Sequence, residues 1–185
     1  MATRAFSLKQ HLVADFLYDT DGADEQDLMD HAVQADDVLL SPEMEREESA
    51  PYRKFWRFPG DFQRTLIFQF TVPDDYTDTP VLRLLYDCVG DDLTGDVRVT
   101  VDVLANSDSE DMEAAEYDTT NVATDTVETA EGKTNLLEVS LSNADSAAAK
   151  DAVLVKLTRT PGHNDDTIAG TDVRVFEVDF VFNDA

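Results

Sequence analysis

The sequence predicts an all-β fold, an eight-stranded jelly-roll β-barrel or sandwich, preceded by an N-terminal arm that contains a short helix. Three observations support this prediction. Apolar and polar residues alternate with a period of two from about residue 52 onward, which is typical of strands with one buried face. Proline and glycine separate the alternating runs, and the gaps between runs are uneven, including the long acidic stretch Asn106–Glu116. Uneven connections fit a two-sheet jelly roll better than an up-and-down barrel.

The first fifty residues differ from the rest and are predicted to form the arm. Asp24 is placed to cap a helix over Gln26–Leu39. That helix has a thin apolar stripe, made of Leu28, Ala32, Ala35 and Leu39. The charged stretch Ser41–Pro51 is bracketed by prolines and is interpreted as a linker or exposed loop. We therefore divide the chain into an arm over residues 1–50 and a jelly-roll domain over residues 51–185.

Eight strands are predicted from the alternation. The clear runs cover residues 66–72, 82–88, 97–103, 137–141, 153–157 and 173–182, and weaker candidates lie at 52–58 and 120–129. In the last clear run, Phe176, Val178, Phe180 and Phe182 share one face, whereas Val173 and Val175 fall on the opposite parity. A change of parity within one strand predicts a β-bulge near residues 175–176.

The chain is strongly acidic, because 40 Asp and Glu residues against 14 Lys and Arg give a formal net charge of −26. This balance argues against direct nucleic-acid binding, which needs clustered basic residues. It also argues against docking to an anionic lipid surface through a polybasic patch. Leu, Ile, Val and Phe make up 48 of the 185 residues, more than the roughly 20% typical of disordered chains. The sequence therefore predicts a folded domain with an acidic surface.

The choice of acidic and basic residues points to a salty environment. Asp supplies 28 of the 40 acidic residues, and Lys only 5 of the 14 basic ones. Short hydrated Asp side chains and few long Lys stems resemble the surface of proteins from extreme halophiles. An acidic protein from an ordinary environment is the alternative. Since molar salt shortens the Debye length to about 3 Å, we expect the fold to depend on salt.

The single cysteine, Cys88, excludes an intrachain disulfide framework and a cysteine-based zinc site. It alternates with Leu84 and Tyr86 on one face, so a buried core thiol is predicted rather than a nucleophile. The first residues lack the continuous apolar core of a signal peptide, and no apolar run approaches the roughly 18 residues of a membrane span. We expect the protein to be made in a cytoplasm and to stay there or join something assembled there.

No residue pattern points to a catalytic site. Spacing singles out no carboxylate pair of the kind that glycosidases use, and the GxSxG, P-loop and GxGxxG motifs are missing from the sequence. His11, His31 and His163 are far apart in sequence, which argues against a zinc site. We predict a protein that is not an enzyme and that has no cofactor beyond structural cations.

Structural cations have a weak candidate site in the segment Asp19–Asp24, with Asp19, Asp21 and Asp24 as ligands. An EF-hand loop needs Gly at its sixth position and Glu at its twelfth, but Gly22 is fourth when counted from Asp19. Helix capping and a turn are the preferred interpretation of these residues. Asp165 and Asp166 are likewise interpreted as part of a turn rather than as a ligand pair.

Trp56 belongs to the one locally basic aromatic cluster of the chain. The neighbouring residues are Arg53, Lys54, Phe55, Arg57 and Phe58. An exposed ring of this kind is a candidate platform for a sugar, but packing across a sheet or a subunit interface is the preferred interpretation.

Three segments together resemble a jelly-roll module found in viral head and appendage proteins: Phe58–Tyr76, Gly95–Val103 and Leu154–Phe182. The penultimate strand of that module carries an alternating apolar and basic run, matched here by Val155-Lys156-Leu157-Thr158-Arg159. A loop ending in Asp-Thr-x-x-Gly then leads to the last strand, matched by Asp166-Thr167-Ile168-Ala169-Gly170. The additional Thr171 before Asp172 departs slightly from the expected spacing. The whole chain looks like the smaller major capsid protein of tailless icosahedral haloarchaeal viruses with an internal membrane.

The resemblance implies a structural subunit of the virion, assembled in the host cytoplasm, whose single jelly roll stands upright in the shell. Its implied partners are other copies of the chain and a larger companion capsid protein built on a related barrel, over the internal membrane. The arm is expected to interlock subunits or to lie near that membrane. No site residues are carried over from the family. A virion spike or fibre head, or a carbohydrate-binding module of the same fold, is the alternative, and an enzyme acting on polysaccharide is a third.

Overall fold

The structure of the protein is a computed structural model that describes residues 3–7, 43–46, 54–77, 80–90, 93–111, 115–168 and 170–183. Ten β-strands lie in these ranges, and none of the described residues is helical. The strands are β1 (Thr3–Ser7), β2 (Glu43–Arg46), β3 (Lys54–Phe58), β4 (Arg64–Thr71), β5 (Val81–Val89), β6 (Asp96–Asn106), β7 (Asn121–Thr126), β8 (Thr134–Ser140), β9 (Ala152–Arg159) and β10 (Asp172–Asn183).

The strands form two antiparallel sheets that enclose one core. The first sheet has six strands, ordered β2-β3-β10-β5-β8, with β1 paired to the second half of β10. The second has four strands, ordered β4-β9-β6-β7. Counted from β3, the eight main strands are thus arranged 1-8-3-6 in one sheet and 2-7-4-5 in the other, which is the two-Greek-key pattern of a jelly roll. The predicted all-β jelly roll is confirmed, and its eight predicted strands correspond to β3–β10.

Strand β10 contains the predicted bulge. Its pairing with β5 shifts register between Val175 and Glu177, so one extra residue is accommodated there and the side-chain parity changes. Val175 before the bulge and Val178 after it are consequently both buried in the core. Phe176, which the alternation grouped with Val178, lies at the bulge and packs its ring edge-on against Phe55 instead.

The N-terminal part of the chain differs from the expectation where it is described. The helix predicted over Gln26–Leu39 lies outside the described residues. Within the predicted linker, Glu43–Arg46 form β2, which pairs with β3, so the prediction of a loop is wrong for these four residues. The alternation also did not predict β1, which pairs with β10. The boundary between arm and domain at residue 50 stays a prediction.

The core is built from alternate residues of every main strand. In β6, for example, Val97, Val99, Val101 and Val103 are buried, and the residues between them are half-buried. Side chains of the two sheets meet in this core. Trp56 of β3, in the six-stranded sheet, contacts Phe68 of β4, in the four-stranded sheet, edge to face with ring centres 6.1 Å apart. Within the described part of the chain, no helix is long and apolar enough to span a bilayer.

The connecting loops gather at two ends of the jelly roll. The described parts of loops 59–63, 90–95, 127–133 and 160–171 lie together at what we call the Arg159 end, where Gly170 N donates to Gly60 O and Val127 N donates to Gly95 O. The described parts of loops 72–80, 107–120 and 141–151 lie at the opposite end, where Val72 N donates to Asp151 O. This arrangement decides which loops can act together.

Candidate functional site

A buried ion pair holds the Arg159 end together. Arg159, the last residue of β9, is only 1% exposed. Its Nε and Nη2 donate to the two carboxylate oxygens of Asp166, at 3.0 and 3.1 Å. Its Nη1 donates to two backbone carbonyls, Thr171 O at 2.7 Å and Phe58 O at 3.2 Å. One guanidinium therefore ties the end of β9 to the end of β3 and to the start of β10.

The loop between β9 and β10 supplies the other half of this network. Asp166 also accepts a hydrogen bond from the backbone N of Arg98. Thr167 and Asp96 bond reciprocally: Thr167 N donates to Asp96 O, and Asp96 N donates to Thr167 Oγ1, both at 2.8 Å. Ile168 is fully buried. The Asp-Thr-x-x-Gly run that suggested the viral resemblance is thus the segment that locks the loops at this end.

Two glycines allow the loops to approach so closely. A Cβ on Gly60 would collide with the backbone N of Thr171 and the backbone C of Gly170. A Cβ on Gly95 would collide with Thr167 Oγ1. Backbone atoms cannot swing away as the end of a flexible side chain can, so Gly60 has no tolerated replacement in this geometry.

Two reactive groups face the interior beside the ion pair. Tyr86 donates its hydroxyl hydrogen to Asp125 Oδ2 at 2.7 Å, and this bond links the six-stranded sheet to the four-stranded one. Burial and this hydrogen bond raise the pKa of Tyr86 far above its ordinary value. Burial also raises the pKa of the Cys88 thiol to about 12. With 3% of Cys88 exposed, the predicted core thiol is confirmed, and nucleophilic chemistry is disfavoured at this position.

The interior at this end has little room for a ligand. A cavity of about 10 Å³ lies between the sheets, lined by Phe58, Tyr86, Leu157, Arg159 and neighbouring valines and leucines. A volume of about 10–15 Å³ is the lower limit for a single water. The cavity is therefore a packing gap rather than a binding site.

The aromatic cluster around Trp56 divides between the two faces of its sheet. Trp56 packs on the core, in keeping with the preferred interpretation of a packing residue. Phe55 points away from it and is 5% exposed, with the guanidinium of Arg174 5.1 Å from its ring centre. Arg174 in turn donates to both carboxylate oxygens of Asp87, at 2.7 and 2.6 Å. This part of the outer face is a closed packing arrangement, not an open aromatic platform.

The candidate metal ligands named from the sequence are only partly within the described residues. Asp19, Asp21 and Asp24, with His11 and His31, lie outside the described residues. His163 lies in the exposed loop between β9 and β10 and accepts a hydrogen bond from Asp165 N. Asp165 is exposed in the predicted turn, whereas Asp166 is buried as the partner of Arg159. Among the described residues, no three His, Cys, Asp or Glu side chains are grouped to hold a metal ion.

The charge of the molecule is partitioned between strands and loops. Strands β3–β10 contain eight acidic and eight basic residues, so their net charge is zero. Residues 1–53 carry 13 acidic and 4 basic residues. Among the described residues, the four loops of the Arg159 end carry five acidic residues and one basic, and the three loops of the opposite end carry nine and one. The walls of the jelly roll are therefore neutral, and its two ends are acidic.

No protein family matches the chain, and no curated protein sequence matches it. Among solved structures, it is similar to the mosquito-larvicidal Cry4Aa toxin from Bacillus thuringiensis, with 12% identity and a TM-score of 0.47, over 83% of this chain and 23% of the toxin. It is also similar to promiscuous carbohydrate-binding modules of the β-sandwich superfamily, with 9% identity and a TM-score of 0.44, over 76% of this chain and 53% of that one. A third similarity is to the carbohydrate-binding module TmCBM61, with 10% identity and a TM-score of 0.41, over 76% of this chain and 82% of the module.

These likenesses are distant, and the chain spans less than two thirds of the length of the first two proteins. The fold assignment rests on the strand order of the molecule itself. The protein is a jelly-roll β-sandwich module whose loops are locked at one end by a buried ion pair.

Proposed function

We propose that the chain is a structural subunit of a viral capsid, the smaller of two major capsid proteins in a tailless icosahedral haloarchaeal virus with an internal membrane. The observation that carries the proposal is the partition of charge. A shell subunit packs against neighbours through its sides, and side-by-side packing of chains with a net charge of −26 is opposed by their repulsion. Neutral walls between acidic ends reduce that repulsion at the sides, where contact is needed.

The locked loops also favour a scaffold role. The Arg159 network fixes the loop between β9 and β10 to residues of β3, β6 and β9, and a rigid module suits a shell in which every copy has the same shape. The segments that resemble the viral module, Val155–Arg159 and Asp166–Gly170, are the ones that build this network. A role without catalysis or a cofactor follows from this proposal, as do its partners: further copies, a larger companion capsid protein and a nearby membrane.

The alternative of a carbohydrate-binding or spike module has less support from the geometry. Sugar-binding surfaces commonly present exposed aromatic rings with one face free. Trp56 instead packs on the core, and the guanidinium of Arg64 lies over one face of the exposed Phe62 ring, 4.1 Å from its centre.

The copy number of the chain in purified virus particles tests the proposal. As a major capsid protein, the chain is expected among the most abundant proteins of the particle, and chemical cross-linking is expected to join it to a larger, similarly acidic protein. A spike would be present in far fewer copies. Particles that contain the chain at spike-like abundance, or that lack it, would show the capsid assignment to be wrong.

A further inference from the structure

We draw no further inference here: the strongest candidate, the buried patch on the outer face of the six-stranded sheet where Arg174 contacts Phe55 and Asp87, carries no proposal, because nothing in the described part of the chain shows what covers it.

Discussion

Arg159 shows how one residue can connect several parts of a jelly roll. A guanidinium buried in apolar surroundings is costly unless its charge is paired and its donors are satisfied. Here the Asp166 carboxylate supplies the charge, and two backbone carbonyls accept from the remaining nitrogen. The arrangement costs desolvation, yet it specifies one geometry for the loop between β9 and β10.

Removal of this guanidinium is predicted to destabilise the protein strongly. Arg159→Met leaves the Asp166 carboxylate buried without its partner, and such a loss costs about 3–5 kcal/mol. Arg83→Met is the matched control, because Arg83 pairs with Glu138 on the exposed face of the sheet and such pairs contribute about 0–1 kcal/mol. Chemical denaturation in molar salt measures both. Equal free energies of unfolding for the two variants would contradict the role given to Arg159.

The sequence contained the parity signal for Arg159 but not the identity of its partner. Val153, Val155, Leu157 and Arg159 alternate on one face, so Arg159 is expected to point inward with the three apolar residues. Which of two adjacent aspartates turns inward depends on the path of a loop, and Asp165 and Asp166 are equivalent in composition. Periodicity cannot resolve a loop path, and for this reason the turn was predicted and the buried pair was missed.

Strands with one buried face were predictable, and the two N-terminal strands β1 and β2 were not. The valines at 97, 99, 101 and 103 alternate with polar residues, and the opposing parity in β10 located its bulge. The segment Glu-Met-Glu-Arg of β2 carries three charges in four residues. An edge strand of this kind has no period-two apolar pattern, because charged residues there prevent further pairing. Its sequence is therefore indistinguishable from that of a charged linker.

The two N-terminal strands are predicted to protect the six-stranded sheet. Deletion of residues 1–46 removes β1 and β2, which leaves β3 as an edge and frees one side of the second half of β10. Unpaired strand edges promote association, so we expect a folded jelly roll that aggregates more readily. Light scattering and circular dichroism in molar salt check this expectation.

A linker variant is the control for this deletion. Replacing residues 8–42 by a flexible Gly/Ser linker removes a segment of similar length and retains both strands. We expect this variant to scatter no more light than the full chain. If the two shortened chains aggregate equally, the protective role assigned to β1 and β2 is wrong.

At the scale of the whole molecule, we expect the concentration of acidic residues in the loops to make stability depend on salt. Nine acidic residues and one lysine lie in the described parts of the three loops of the opposite end, and their mutual repulsion opposes folding in dilute buffer. Molar NaCl screens this repulsion, since the Debye length falls from about 30 Å at 0.01 M to about 3 Å at 1 M. We predict that the free energy of unfolding rises with NaCl concentration. Unchanged stability between millimolar and molar NaCl, followed by circular dichroism, would rule this out.

Neutralising part of that end is predicted to reduce the salt requirement. Asp108→Asn combined with Asp111→Asn removes two exposed carboxylates from the loop between β6 and β7. Because fewer like charges then repel one another, we expect the double variant to stay folded down to a lower NaCl concentration than the wild-type chain.

The two ends of the subunit differ in negative charge, because their loops contain different numbers of acidic residues. In a layer of copies standing side by side, neighbours repel more at the end with the loops 72–80, 107–120 and 141–151 than at the Arg159 end, where the loops carry fewer acidic residues. For copies packed side by side as proposed, we expect the layer to relax this imbalance by bending, with the more acidic rims farther apart. We therefore expect a curved layer that is convex on the side of the β6–β7 loop and that flattens as added salt screens both rims.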